Sequence, residues 1–262
     1  MYRTTQWGPI TQNTTWSGTH VLLGDVLVMP GVTLTLAAGT RIVMAGSKSN
    51  WDSLHIQDGL CDFLVQGTLD ANGGTAPGDS IVMTSGQAVP AAGDWGGIFV
   101  DEHASALLVG VLSEYAYNGF LSHGSPSFIN CGARFCTNDG FKLENNGHPV
   151  VSGCDAQACY IGLHVLQGNS ATGVPAAAVT QSRFHENSLD GVNATDTGVT
   201  LLLSGCLIDN NQQDGLVMNG LSATVSDCTI TGNAVYGVEG LNALGVLTFG
   251  VPGHPNKVYG NA

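Results

Sequence analysis

Positive charge is what this chain has least of. Seven Lys and Arg stand against twenty Asp and Glu, for a formal net charge of −13. Nucleic-acid binding needs clustered cations to neutralise phosphate, so that class of function is excluded. Charge of either sign is thin, at 10% of residues. Nor is there a run of about 18 apolar residues, the length a membrane span requires. No stretch of about ten residues keeps a helical period. No Cys-x-x-Cys pair occurs, which removes a zinc site of the usual spacing. The opening MYRTTQWGPITQNTTW lacks the basic-then-apolar order of a signal peptide, so an exported protein with this start would be a mature or excised form.

What fills the space is glycine, 37 residues of it, with abundant Thr, Ser and Asn. Such a hydroxyl- and amide-rich surface is that of an exported β-protein, and an extracellular or cell-surface location is expected. A chain of 262 residues suffices for one large domain with a substantial core.

The chain also repeats itself. TQSRFHENSLDGV (180–192), SGCLIDNNQQDGL (204–216) and SDCTITGNAVYGV (226–238) share a small residue, an Asn and a Gly-apolar pair. Aligning on that pair gives Gly119, Gly140, Gly162, Gly191, Gly215 and Gly237, with gaps of 21, 22, 29, 24 and 22 residues. Ahead of these glycines runs a column of small residues, Cys131, Cys154, Ser182, Cys206 and Cys228. Five residues further on comes another, Cys136, Cys159, Asn187, Asn211 and Asn233. Three columns in one register mark a solenoid or related array. Between them stand short alternating runs such as Thr224-Val225-Ser226, with the period of a strand. The unit of about 22 residues therefore reads as one coil of a β-helix, its strands pairing with the next coil at about 4.8 Å. A blade of a propeller needs about 40 residues and antiparallel hairpins, which this period does not allow.

The predicted architecture is all-β: a single-domain parallel β-helix of roughly nine coils. Residues 1–20 are a lead-in, 21–104 form irregular coils, and 105–262 form regular ones. KVYGNA (257–262) matches TITGNA (229–234), so Asn261 is the expected next member of the Asn column and the last coil ends part-way round. An open coil end exposes strand edges, and self-association through such ends is expected. Phe128, Val151, Val179, Leu203 and Val225 should line one interior stack. The cysteines are expected to be buried thiols acting as small hydrophobes, with the 136–159 pair the one place for a bridge.

These columns resemble the right-handed parallel β-helix superfamily, that of the pectate lyases, tailspikes and many surface proteins. The Asn column at a short bend and the Gly-apolar strand start carry the resemblance from about 105 to 240. VLVMPGVTLTLAAGTRIVMAG (26–46) and GDWGGIFV (93–100) resemble the opening coils of bacterial surface β-helices. The resemblance implies a right-handed coil; it says less about function, since this fold hosts many activities.

In the lyases and hydrolases of that superfamily the catalytic acids and bases stand on the outer face of one sheet. In the aligned coils between 127 and 226 the first strand, which resembles that sheet by position, carries no carboxylate, Lys or Arg, and the hydrolase-like NTD, double-Asp and GHG set is missing. The strand after the Gly-apolar pair is richer. Stacking should gather His123, Lys142, Glu144 and His164 across three coils, in a patch with the groups for acid–base chemistry or for holding a metal. The bland alternative is a solvated face with one Lys–Glu pair. Arg134, Gln157, His185 and Asp209 in one column, with Asp155 and Arg183 in another, read as a surface ion-pair network. Asp139, Asp190 and Asp214, each before a glycine, read as turn residues. The segments 46–59 and 166–177 read as projecting loops. In the first, Trp51 and His55 are ligand-binding candidates, Trp51 either stacking on a sugar or capping the N-terminal coils.

On the sequence alone the favoured function is a non-catalytic extracellular scaffold, an adhesin-type stalk, fibre or spike. A carbohydrate-active lyase or hydrolase with a diverged site is the competing reading. No cofactor and no bound metal are expected. Glycans and further copies of the chain are the expected partners, and no turnover of common polysaccharides is expected.

Overall fold

The protein is described from a computed structural model over residues 3–45, 59–74, 78–144, 147–166, 177–195, 200–242 and 245–262. Trp51 and His55 lie outside the described residues.

Each repeat makes one coil of three strands. In one coil these are Ala177–Thr180, Arg183–His185 and Val192–Thr195. In the next they are Thr200–Ser204, Leu207–Asp209 and Leu216–Asn219. Strands of one kind pair in parallel with their counterparts in neighbouring coils, so Val151, Val179, Leu203 and Val225 stack in a line. Among the described residues, ten first strands form one sheet, and the middle and third strands form another of nineteen.

The bends explain why the repeat is so regular. From residue 105 onward the residue after each first strand, among them Asn130, Gly153, Gln181, Gly205 and Asp227, has a left-handed backbone. In the same coils so has the residue after the middle strand, including Tyr115, Phe135, Ala158, Glu186, Asn210 and Gly232. A single left-handed residue turns the chain sharply without a loop, at a cost of about 1–2 kcal/mol for a side chain with a Cβ. Stacking offsets part of that cost: the Tyr115 and Phe135 rings lie parallel with centroids 5.2 Å apart.

Beside the second bend stands the asparagine ladder. Asn211 accepts at Oδ1 from the backbone N–H and the side-chain amide of Asn187, at 3.1 and 2.9 Å. Its own amide donates to Asn233 Oδ1 at 2.9 Å and to the Phe184 carbonyl at 3.1 Å. Asn233 repeats the pattern on Asn261 at 2.9 Å. At the upper end Cys159 N–H donates to Asn187 Oδ1 at 3.0 Å. Asn187, Asn211 and Asn233 are buried yet satisfied, as burial demands.

The interior is one continuous apolar stack. Phe120, Phe128 and Phe141 pack ring to ring, centroids 4.8 to 5.7 Å apart, and Phe128, Val151, Leu203 and Val225 have no exposed surface. The cysteine columns face inward, as their small size predicts, and Cys131, Cys136, Cys154, Cys159, Cys206 and Cys228 are buried thiols. No bridge joins Cys136 to Cys159. The neighbouring Cys159 thiol and burial together push Cys136 well above the usual thiol range, which suits an inert packing residue.

The glycine that opens each third strand has a steric reason. A Cβ on Gly215 would lie 2.5 Å from Ile230 Cγ2 and 2.6 Å from the Gly237 carbonyl oxygen. The Gly-apolar column marks a place where the next coil leaves no room for a Cβ.

Candidate active site on the third strand

The third strands place their outward side chains in two straight rows. One runs Phe99, Leu121, Lys142, His164, Asn193 and Val217. The other continues from each strand end through Asp101, His123 and Glu144. His123 N–H donates to the Val100 carbonyl at 2.9 Å, which fixes its place one coil from Asp101. All four sequence-predicted candidates thus come together.

Glu144 is the hub of the upper part. Its Oε2 lies 2.9 Å from His123 Nε2 and its Oε1 2.6 Å from Lys142 Nζ. The His123 bond, with Lys142 adding to it, holds the Glu144 carboxyl down to about 2 against the opposing effect of burial. Phe99 meets the His123 ring edge-on at 4.7 Å and helps fix it. The cluster is an ordered network, more than the single exposed pair of the bland reading.

His164 is held from below. Its Nδ1 lies 3.0 Å from Oδ2 of Asp139, whose side chain is 1% exposed. An Nδ1–H donating to the carboxylate leaves the Nε2 lone pair for the outer surface. Lys142 is the register partner of His164 on the adjacent coil, about 4.8 Å away along the stack.

Asp139, read from the sequence as a turn former, faces His164 in the structure. In its column Asp190 accepts the N–H of Asp214, and Asp214 accepts the N–H of Tyr236, at 3.2 and 2.7 Å. Those two bonds are coil-to-coil caps. Asp139 instead turns Oδ2 to His164 and leaves Oδ1 buried without a partner. The available signal was spacing: His164 falls 25 residues after Asp139, one coil on and three residues into the strand. Asp190, also buried, has its carboxyl pushed up by desolvation and accepts from Asn193 Nδ2 at 2.8 Å.

The middle-strand network is structural in form. Arg183 grips Asp209 with two bonds of 2.9 and 2.7 Å, and His185 Nε2 lies 3.2 Å from Asp155. His185 and Asp209 are more buried than an outward column predicts; Arg183 is bonded across Asp209, and Asp155 and Glu186 flank His185. Among the described residues no three His, Cys, Asp or Glu side chains converge as metal ligands.

A β-helix with an ionisable cluster on one sheet is the class that fold and site define. The chain belongs to the right handed beta helix region family, whose model matches residues 91–245. Residues 8–113 match the pectate-lyase like beta helix domain. Among solved structures it is similar to pectate lyase Pel9A, with 14% identity, a TM-score of 0.48, and coverage of 79% of this chain and 56% of that one. It is similar also to the periplasmic alginate epimerase AlgG, with 11% identity, a TM-score of 0.40, and coverage of 93% and 76%. The chain thus spans just over half the length of that pectate lyase. No curated protein matches the sequence.

Proposed function

We propose that the protein is a carbohydrate-active β-helix whose third-strand face acts on a uronate-containing polysaccharide, outside the cytoplasm. The observation that carries this is the His164–Asp139 pair with Lys142 beside it. A buried carboxylate that gives up the cap made by its column neighbours and aligns an imidazole instead has a positioning role. It favours an active face over a purely passive scaffold.

The chemistry follows from these groups. His164 Nε2 takes the proton from C5 of a uronate, the C–H bond's electron pair moves toward the sugar carboxylate, and the Lys142 ammonium stabilises the added negative charge. Two outcomes branch from there. Cleavage of the C4–O4 bond, with a proton delivered to the leaving oxygen, gives an unsaturated product. Return of a proton to the other face of C5 gives the epimer. His123, bonded to Glu144, stands two coils from His164 on the same face as a proton donor. Lys142 has three N–H donors and gives one to Glu144, leaving capacity for a substrate carboxylate.

Incubating the folded protein with polygalacturonate, polymannuronate and polyguluronate, and following unsaturated uronate and sugar configuration, tests this reading. Product formation that disappears in both Lys142→Ala and His164→Ala supports it; folded protein that yields neither product returns the scaffold reading to first place.

A further inference from the structure

N-terminal to the reactive cluster, on the same edge of the solenoid, lies a groove of about 460 Å3. Pro30, Thr68, Gln66, Asp101, His103 and Ser105 give it its chemistry. It continues the upper row of the cluster: Val65, Val100 and Ser122 are register partners, so Gln66, Asp101 and His123 follow one another from coil to coil. Asp101 is therefore two coils from Lys142, roughly 10 Å along the stack.

The groove is built. Gln66 Nε2 donates to Asp101 Oδ2 at 3.0 Å, and Asp101 Oδ1 accepts the Glu102 N–H at 2.7 Å. Ser105 N–H donates to the Gly67 carbonyl at 3.0 Å, which sets the floor. Gly67 is there of necessity, since a Cβ would lie 2.2 Å from the Met29 carbonyl oxygen and 2.4 Å from that of Val32. A fixed carboxylate–amide pair, two hydroxyls and an imidazole line one space, with the exposed Pro30 beside them.

We infer that this groove is a binding subsite for a neutral sugar residue, adjoining the uronate position of the cluster. Its lining holds no Lys or Arg, and a sugar carboxylate there would meet the Asp101 carboxylate. Paired sugar hydroxyls suit it instead: they donate to Asp101 and accept from Gln66, while the proline ring takes the C–H face. The place of the subsite in substrate recognition rests on the function proposed above, and together they specify a mixed polymer with a neutral unit beside a uronate. Binding itself stands on the groove alone.

The test uses the full chain and neutral gluco-, manno-, xylo- and galacto-oligosaccharides as probes, followed by amide chemical shifts. At least one probe at about 5 mM is expected to shift the Thr68, His103 and Ser105 amides. Asp101→Ala and Ser105→Trp, the second filling the groove from an exposed position, should each weaken that binding at least about fivefold. His164→Ala should leave it unchanged. No shift at those amides with any probe, or binding indifferent to Ser105→Trp, overturns the subsite. Uronan turnover without neutral-sugar binding removes the subsite and leaves the proposed function. Neutral-sugar binding without turnover of any uronan does the reverse.

Discussion

His164 Nδ1 and Asp139 Oδ2 lie 3.0 Å apart, joining an outward imidazole to a carboxylate with 1% of its side chain exposed. On the proposed function, this contact is what aligns the base. Asp139→Asn keeps the size but removes the charge and lets an amide NH2 face Nδ1, so the Nδ1–H tautomer is no longer selected. Turnover should fall by about 100-fold or more with KM little changed. Unfolding in denaturant, measured on the same variant, should show a much smaller effect than complete loss of the fold.

Glu144 gives a pH signature. Its folded value lies below its unfolded one, so its contribution is fully present above the unfolded value and is lost as pH falls toward about 2. The partial exposure of the pair and solvent screening reduce that contribution to about 1–2 kcal/mol. The difference in unfolding free energy between wild type and Glu144→Gln should be flat from neutral pH to about 5 and shrink below it. Parallel denaturant titrations at several acidic pH values measure it.

The ladder supplies a stability prediction independent of function. Asn211→Leu strands the Asn187 N–H and the Phe184 carbonyl in a dry interior. The expected cost is about 3 kcal/mol, most of it desolvation without a partner. Ser204→Ala, on the outer face of the same coil, should cost under about 0.5 kcal/mol. Chemical denaturation of the two variants side by side makes the comparison.

Much of this was legible in the sequence, because a solenoid writes its contacts into its period. The columns at Phe128, Cys131 and Asn187 predicted interior stack, inward corner and ladder, and Asn261 extends the ladder as the KVYGNA match implied. The four ionisable residues of the third strand also fall together as the register requires. Asp139 did not reveal itself, since Asp before Gly is ordinary turn chemistry, and only the partners of Asp190 and Asp214 show that it behaves differently. Val217, placed outward by alternation, is buried at 4% exposure. Burial of His185 and Asp209 likewise depends on what neighbouring coils lay across them, which a one-dimensional period does not encode.

Charge sets a further expectation. A chain with net charge −13 repels a polyuronate at long range, while Lys142 attracts it locally. Added salt screens the long-range part first, since the Debye length is about 10 Å at 0.1 M. Turnover at limiting substrate should rise several-fold from low to moderate ionic strength. Initial rates across a sodium chloride series check it.

The most direct measurement is deuterium exchange at C5 of a polyuronate incubated with the folded protein in heavy water. It reads proton abstraction itself, whether elimination or epimerisation follows. The account predicts C5 deuterium or unsaturated product with wild type, and neither with His164→Ala or Lys142→Ala of unchanged fold. Absence of both from polygalacturonate, polymannuronate and polyguluronate, or exchange that persists in His164→Ala, would contradict it.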